Sequence, residues 1–250
     1  QDARAPLHAP FFDPHLEIDV HDRNLPHWQQ DEAWIFVTWR LADSLPAERL
    51  RQWQEEKELW LRQHPAPWDD TTVREFHEQF TARIEAWLDA GEGSCVLRDP
   101  GIRRIVTDAL AHFDAERYEL GDYVVMPNHV HVLFRPKSGH ALADILHSWK
   151  SFTAKKINLV LGRTGQLWQE EYWDRLIRHE RHLVACQRYI ATNPVKAHLA
   201  PAEFTQRSTG VPPVNSPTEA HGQDARAPLW VPAAGTFPGW PTQAKLIRFL

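Results

Sequence analysis

The sequence predicts an α+β fold, a sandwich with helices on one face of an antiparallel sheet. Three observations carry this. "AWIFVTWRLA" (33–42) is dense in β-branched and aromatic residues, as strands are. "YELGDYVVMP" and "HVHVLFRP" are two further strands split by the turn pair Pro127-Asn128. Between and after them the apolar residues recur every three or four positions, the helical period. The order is strand, helices, two strands, helix, short strand, helix, which suits helices layered on a sheet. The 250 residues suffice for one domain with appendages.

Residues 1–24 are rich in Pro, Asp and His without periodicity and read as an irregular arm. Pro46 and Glu48 open a helix of strong helix formers. A second helix runs from Asp69 to Gly91, with Thr72 and Glu75 as a capping box and Val73, Phe76, Phe80, Ile84 and Trp87 as its apolar positions. Asp99-Pro100 opens a third, with Ile102, Ile105, Val106, Leu110 and Phe113 on one face. Gly139 precedes a helix striped by Leu142, Ile145, Leu146, Trp149 and Phe152 and running to Leu161. "LWQEEYWDRLIR" is a loop with a short strand, and "ERHLVACQRYIATNPVKAHL" is the last helix. The organisation is thus an arm (1–24), a domain (25–202) carrying a helical insertion (46–97), and a low-order tail (203–250) where periodicity stops.

Net charge is −5, but it is unevenly spread. Residues 43–93 hold six Lys/Arg against twelve Asp/Glu, and residues 135–200 eleven against five. A polyanion would meet the second region. Two cysteines, Cys95 and Cys186, form neither a disulfide framework nor a zinc spacing. No apolar run approaches a membrane span and no signal-peptide core is evident, so a soluble cytoplasmic protein is expected, without a membrane partner.

His129 and His131 flank Val130 on a predicted strand, so both imidazoles share a face and can bind one divalent ion. Two surface histidines would look the same. Tyr189 and Asn193, four apart on the last helix, lie on one flank of the stripe of Leu183, Cys186 and Ile190. Tyr189 is therefore not an obvious core residue, and Pro194 is expected to loosen the helix at Asn193. The bland alternative is a tyrosine covering the core edge and an asparagine capping a helix end.

Together the segments are more specific. "YVVMPNHVHVLF", "ILHSWKSFTAKKIN", "LWQEEYWDRLIR" and "YIATNPVKAHL", with "LPHW" and "FVTWRLADSLP" upstream, resemble the REP-associated tyrosine transposases. These are a branch of the single-tyrosine HUH, or IS200-like, transposases. The resemblance covers residues 25–200, with "KAHL" where the family usually has "KAGL". It implies a ferredoxin-like sheet, a divalent metal (Mg²⁺ or Mn²⁺), and cleavage of single-stranded DNA beside a hairpin. It further implies His129 and His131 as metal ligands, Asn193 as a third, and Tyr189 as nucleophile.

The chemistry is coherent. A divalent ion neutralises and orients a phosphodiester. A tyrosinate then attacks phosphorus, giving a 5′-phosphotyrosine and a free 3′-OH, and the kept bond energy permits rejoining. Free tyrosine has a pKa of ~10, so a cation must assist: the metal, Lys196 or Arg188. A histidine pair leans toward Mn²⁺. Lys150, Lys155, Lys156, Arg175 and Arg178 are candidates to track the DNA backbone, and Trp149 and Trp168 to stack bases, although Trp149 lies on a core stripe. Alternatives are a hairpin-binding module without catalysis and a metal hydrolase using water. A monomer is favoured.

"QDARAPL" occurs at 1–7 and again at 223–229. The codons of "HGQDARA" (221–227), reverse-complemented in frame, permit "STGVLPV", one residue from "STGVPPV" (208–214). Residues 208–229 thus read as a translated DNA palindrome with "NSPTEA" as its loop, the kind of hairpin this family is expected to recognise.

Overall fold

The structure is a computed structural model describing residues 11–13, 16, 19–22, 26–65 and 68–209. A hairpin of β1 (Asp19–Asp22) and β2 (Pro26–Gln29) leads into β3 (Ile35–Arg40). The insertion follows: α1 (Ala47–Gln63), α2 (Asp70–Phe76), a π-helical turn (His77–Thr81) and α3 (Ala82–Asp89). Then come α4 (Pro100–His112), β4 (Tyr118–Val125), β5 (His129–Pro136), α5 (Leu142–Val160), β6 (Trp173–Leu176), α6 (Glu180–Lys196) and β7 (Thr205–Arg207). The main sheet is antiparallel in the order β6-β3-β5-β4-β7. Its first four members follow the βαββαβ order of a ferredoxin-like sheet, with β7 added at the β4 edge. No helix among the described residues is long and apolar enough to cross a membrane.

Helices cover both faces, not one. Ile102, Val106 and Leu110 of α4 and Leu142, Ile145, Leu146 and Trp149 of α5 pack on Ile35, Val37, Trp39, Val130, Val132 and Phe134. Cys186, Tyr189 and Ile190 of α6 pack on the opposite set, Phe36, Val124, Met126 and Leu133. β5 is accordingly buried in both phases, with Val130, Val132 and Phe134 turned to one layer and His129, His131 and Leu133 to the other.

Several ends are held by contacts the sequence does not display. Asp69 Oδ1 accepts from the backbone N–H and the hydroxyl of Thr72, so Asp69 caps α2 where a Thr72–Glu75 box was expected. Asp99 caps α4 as expected, accepting from Ile102 N–H. The α5 start has no side-chain cap of its own; Gln29 Oε1 accepts from Leu142 N–H, and Gln29 Nε2 donates to His140 O. Pro194 sits inside α6 without ending it. Only two residues of helix follow it, so the bond it removes is in a last turn that frays anyway.

Residues 203–207, expected to belong to a low-order tail, instead end a 3₁₀ turn and form β7. Buried Arg103 donates to the carbonyls of Leu97, Arg98 and Ala202 and to Thr205 Oγ1, clamping β7 to the start of α4. Thr209 is tied to Asp122, which sits in a bulge between Leu120 and Tyr123. Gly121 is needed there, because a Cβ would lie 2.8 Å from Leu133 O. Both copies of "QDARAPL", and the palindrome beyond Thr209, lie outside the described residues.

Arg103→Met should keep the aliphatic stem but leave three carbonyls without donors. A loss of about 2–3 kcal/mol is expected, since each hydrogen bond to a charged group contributes on this order and the freed carbonyls regain water. Urea unfolding measures the loss, and hydrogen exchange should quicken first at 203–207.

Candidate active site

β5 places His129 and His131 on the face covered by α6, with Leu133 in the same phase. α6 brings Tyr189 and Asn193 onto them, one turn apart. The four are almost dry, with exposures of 1% for His129, 3% for His131, 5% for Tyr189 and 2% for Asn193. Tyr189, not an obvious core residue by periodicity, is part of this second core. Phe36 stacks on His131 with ring centroids 5.7 Å apart, and Tyr189 meets His131 edge-on at 5.1 Å. The two histidine rings are 4.7 Å apart.

Hydrogen bonds orient each group. His129 Nδ1 lies 2.7 Å from Asn128 Oδ1, and His131 Nδ1 lies 2.7 Å from Thr38 Oγ1 on β3. Asn193 Nδ2 donates to His131 Nε2 at 3.3 Å. An Nε2 that accepts leaves the proton on Nδ1, which donates to Thr38. Burial lowers the pKa of His129 to about 3. Burial, with His129 and Lys196 nearby, lowers His131 well below its ordinary value. Both rings are therefore neutral, the form that ligates metal.

Asn193 Oδ1 is buried without a hydrogen-bond partner. Among the described residues no cluster of three His, Cys, Asp or Glu occurs, so a third protein ligand beside the histidines has to be of another type. An orphaned amide oxygen beside two neutral imidazoles fits a divalent cation.

The insertion reaches this site, which no sequence signal announced. Glu85 of α3 hydrogen-bonds Tyr189, and Asp89 lies within electrostatic range. Burial first, then Glu85 and Asp89, raise the tyrosine pKa well above 10, while Asn193 opposes the shift. Burial and Asp89 raise Glu85 in turn, against Lys196, Arg175 and its bond to Tyr189. Lys196 Nζ stands 5.2 Å from the centre of the Tyr189 ring. Arg188 shows no such contact with Tyr189 among the described residues.

The five basic residues separate. Arg175 on β6 is near Tyr189 and Glu85, stacks 4.6 Å over Trp173, and neighbours Arg178. Burial lowers each to about 10, so both stay charged at neutral pH. Lys150, Lys155 and Lys156 belong to α5 in the other helical layer and are not brought together with Tyr189. Lys150 Nζ donates to Glu170 O. Trp149 and Trp168 are both buried, and their indole N–H groups donate to Tyr118 Oη and Thr153 Oγ1, so neither ring is open to a base.

Burial raises Asp89 from its ordinary 3.8 to about 6, against the pull of Lys196. A carboxyl whose folded pKa exceeds its unfolded one stabilises the fold fully at low pH, and that contribution is lost as pH rises through about 6. Asp89→Asn should therefore raise stability at pH 7.5 by about 1 kcal/mol after screening at this half-buried position. It should change almost nothing at pH 3, below the unfolded value. Melting curves at the two pH values check this.

No curated protein matches the chain. A solved structure described as a REP-associated tyrosine transposase bound to a REP hairpin is similar over 72% of this chain and 89% of that chain, at 14% identity and a TM-score of 0.32. Residues 99–193, the stretch that carries His129, His131, Tyr189 and Asn193, match the family model described as IS200-like transposase.

Proposed function

We propose that the protein nicks and rejoins single-stranded DNA at palindromic, REP-like hairpins through a covalent 5′-phosphotyrosine on Tyr189. The observation that carries this is the gathering of Tyr189, two neutral histidines and an orphaned Asn193 oxygen in one buried site. The match of residues 99–193 to IS200-like transposases supports it. His129, His131 and Asn193 would hold a divalent Mg²⁺ or Mn²⁺. Such an ion, when bound, neutralises phosphate charge and favours the tyrosinate.

The chain's own residues supply the rest. Glu85 takes the phenolic proton, being hydrogen-bonded to Tyr189. The phenolate oxygen bonds to phosphorus as the bond to the 3′-oxygen breaks, and the departing oxygen takes a proton from solvent water to become the 3′-OH. Arg175 and Arg178 stand by the tyrosine for the scissile strand. Lys150, Lys155 and Lys156 are proposed as contacts for a more distant part of the DNA. One observation favours a second reading, a hairpin-binding protein without cleavage: Tyr189 is buried and bonded to Glu85.

Labelled hairpin DNA with a flanking single strand, incubated with protein and Mn²⁺, should give a denaturation-resistant adduct. Tyr189→Phe should abolish adduct and cleavage and leave binding, read by fluorescence anisotropy, nearly unchanged. An equally active Phe variant removes Tyr189 from its role, and wild-type binding without any adduct selects the second reading. His129→Ala and His131→Ala should each weaken Mn²⁺ binding in calorimetry and stop cleavage. The strand encoding 208–229 should bind more tightly than its full duplex at matched salt, since phosphate contacts alone do not separate the two.

A further inference from the structure

The turn before β5 ties the insertion to a proposed metal ligand. Asn128 is fully buried. Its Nδ2 donates to Leu88 O at 3.2 Å and to Glu92 O at 3.1 Å, the carbonyls where α3 ends. Two carbonyl oxygens only accept, so the amide nitrogen must face them. That settles the amide's orientation and points Oδ1 at His129 Nδ1, 2.7 Å away. Oδ1 only accepts as well, so Nδ1 carries the proton and Nε2 keeps the lone pair.

The brace is itself held. Leu41 N–H donates to Asn128 O at 2.8 Å, and Leu97 N–H donates to Pro127 O at 3.1 Å. Gly93 packs where a Cβ would lie 2.3 Å from Asp43 O, which keeps the end of the insertion against the start. Ser94 N–H donates to Asp43 Oδ2, and Arg49 pairs with Glu92.

We propose that Asn128 is a positioning residue through which the end of the insertion fixes the ring rotation and the Nδ1–H tautomer of His129. In this arrangement α3 is a working part of the centre. Its last turn and the residues just after it supply the acceptors that aim Asn128, and Asn128 presents His129 with Nε2 ready for a cation. A ring free to change tautomer would present a protonated nitrogen part of the time and bind metal more weakly. The inference rests on the metal-binding reading above, but its central claim concerns the metal-free ring.

The test reads that ring directly. Long-range ¹H–¹⁵N spectra of metal-free, full-length protein, with His129 assigned by its absence in His129→Gln, should show a protonated Nδ1 and a bare Nε2. Asn128→Ala should average the two tautomers and weaken Mn²⁺ binding about tenfold to a hundredfold in calorimetry. Asn128→Asp separates the two duties. Its carboxylate still accepts from Nδ1–H, so the tautomer should persist, whereas Leu88 and Glu92 lose their donor and amide exchange over 88–97 should quicken. A wild-type ring protonated at Nε2 overturns the proposal, whether or not any variant folds. So does an Asn128→Ala protein with the same tautomer and the same Mn²⁺ affinity. Wild-type protein that binds no Mn²⁺ removes the metal reading instead, and the ring spectrum then decides the tautomer by itself.

Discussion

Everything in the candidate site follows from the burial of β5 on both faces. A strand in that position has no water to satisfy a polar side chain, so each polar group on it needs a built partner. His129 and His131 have such partners, and each partner comes from a different element. The same dryness keeps both rings neutral and pushes the Tyr189 hydroxyl toward its protonated form. A cation and a phosphate entering this space would meet little competing solvent, so their interactions with the chain would be strong.

Charges of both signs gather at the site. β6, the loop after it and α6 present Arg175, Arg178 and Lys196, and α3 presents Glu85 and Asp89. Tyr189 meets both, bonded to Glu85 and with Lys196 over its ring. The carboxylates make its ionisation costly, whereas the cations suit a bound phosphate. The acidic character of 43–93 thus does more than offset the basic half of the chain, because Glu85 bonds the hydroxyl proposed as nucleophile and Asp89 acts on it electrostatically.

The histidine pair was legible because a strand has period two and the neighbouring residues fix its phase. The helices α4, α5 and α6 were legible because their buried residues repeat at helical spacing, and Asp99-Pro100 marks a helix start in one dipeptide. What stayed hidden depends on contacts between distant segments. Glu85 is one acidic residue among many on an amphipathic helix, and nothing local distinguishes it. Thr38 is an ordinary strand threonine until β3 pairs with β5 and sets it opposite His131. Gln29 caps a helix that begins more than a hundred residues later. Tyr189 looked peripheral because one stripe was counted, while the sheet and Glu85 of α3 both meet it. The strand β7 carries no periodicity because it is three residues long, and it is held by its pairing with β4 and by Arg103, both far away in sequence.

The closing of the insertion on itself bears on how the chain folds. β3 and β5 are neighbours in the sheet, yet Thr38 and His131 are 93 positions apart. A pairing across so much chain is slow, because the loop between has to be ordered first. The insertion leaves and returns at one place, where Asp43 meets Ser94 and Arg49 meets Glu92, and it has its own aromatic core of Trp53, Trp60, Trp68, Phe76 and Phe80. Once collapsed, it acts as a short bridge. The length of chain left to close then falls by more than half, which lowers the closure cost by roughly 0.6–1 kcal/mol on the logarithmic scale that governs flexible loops. The helical excursion thereby turns a distant strand pair into a near one.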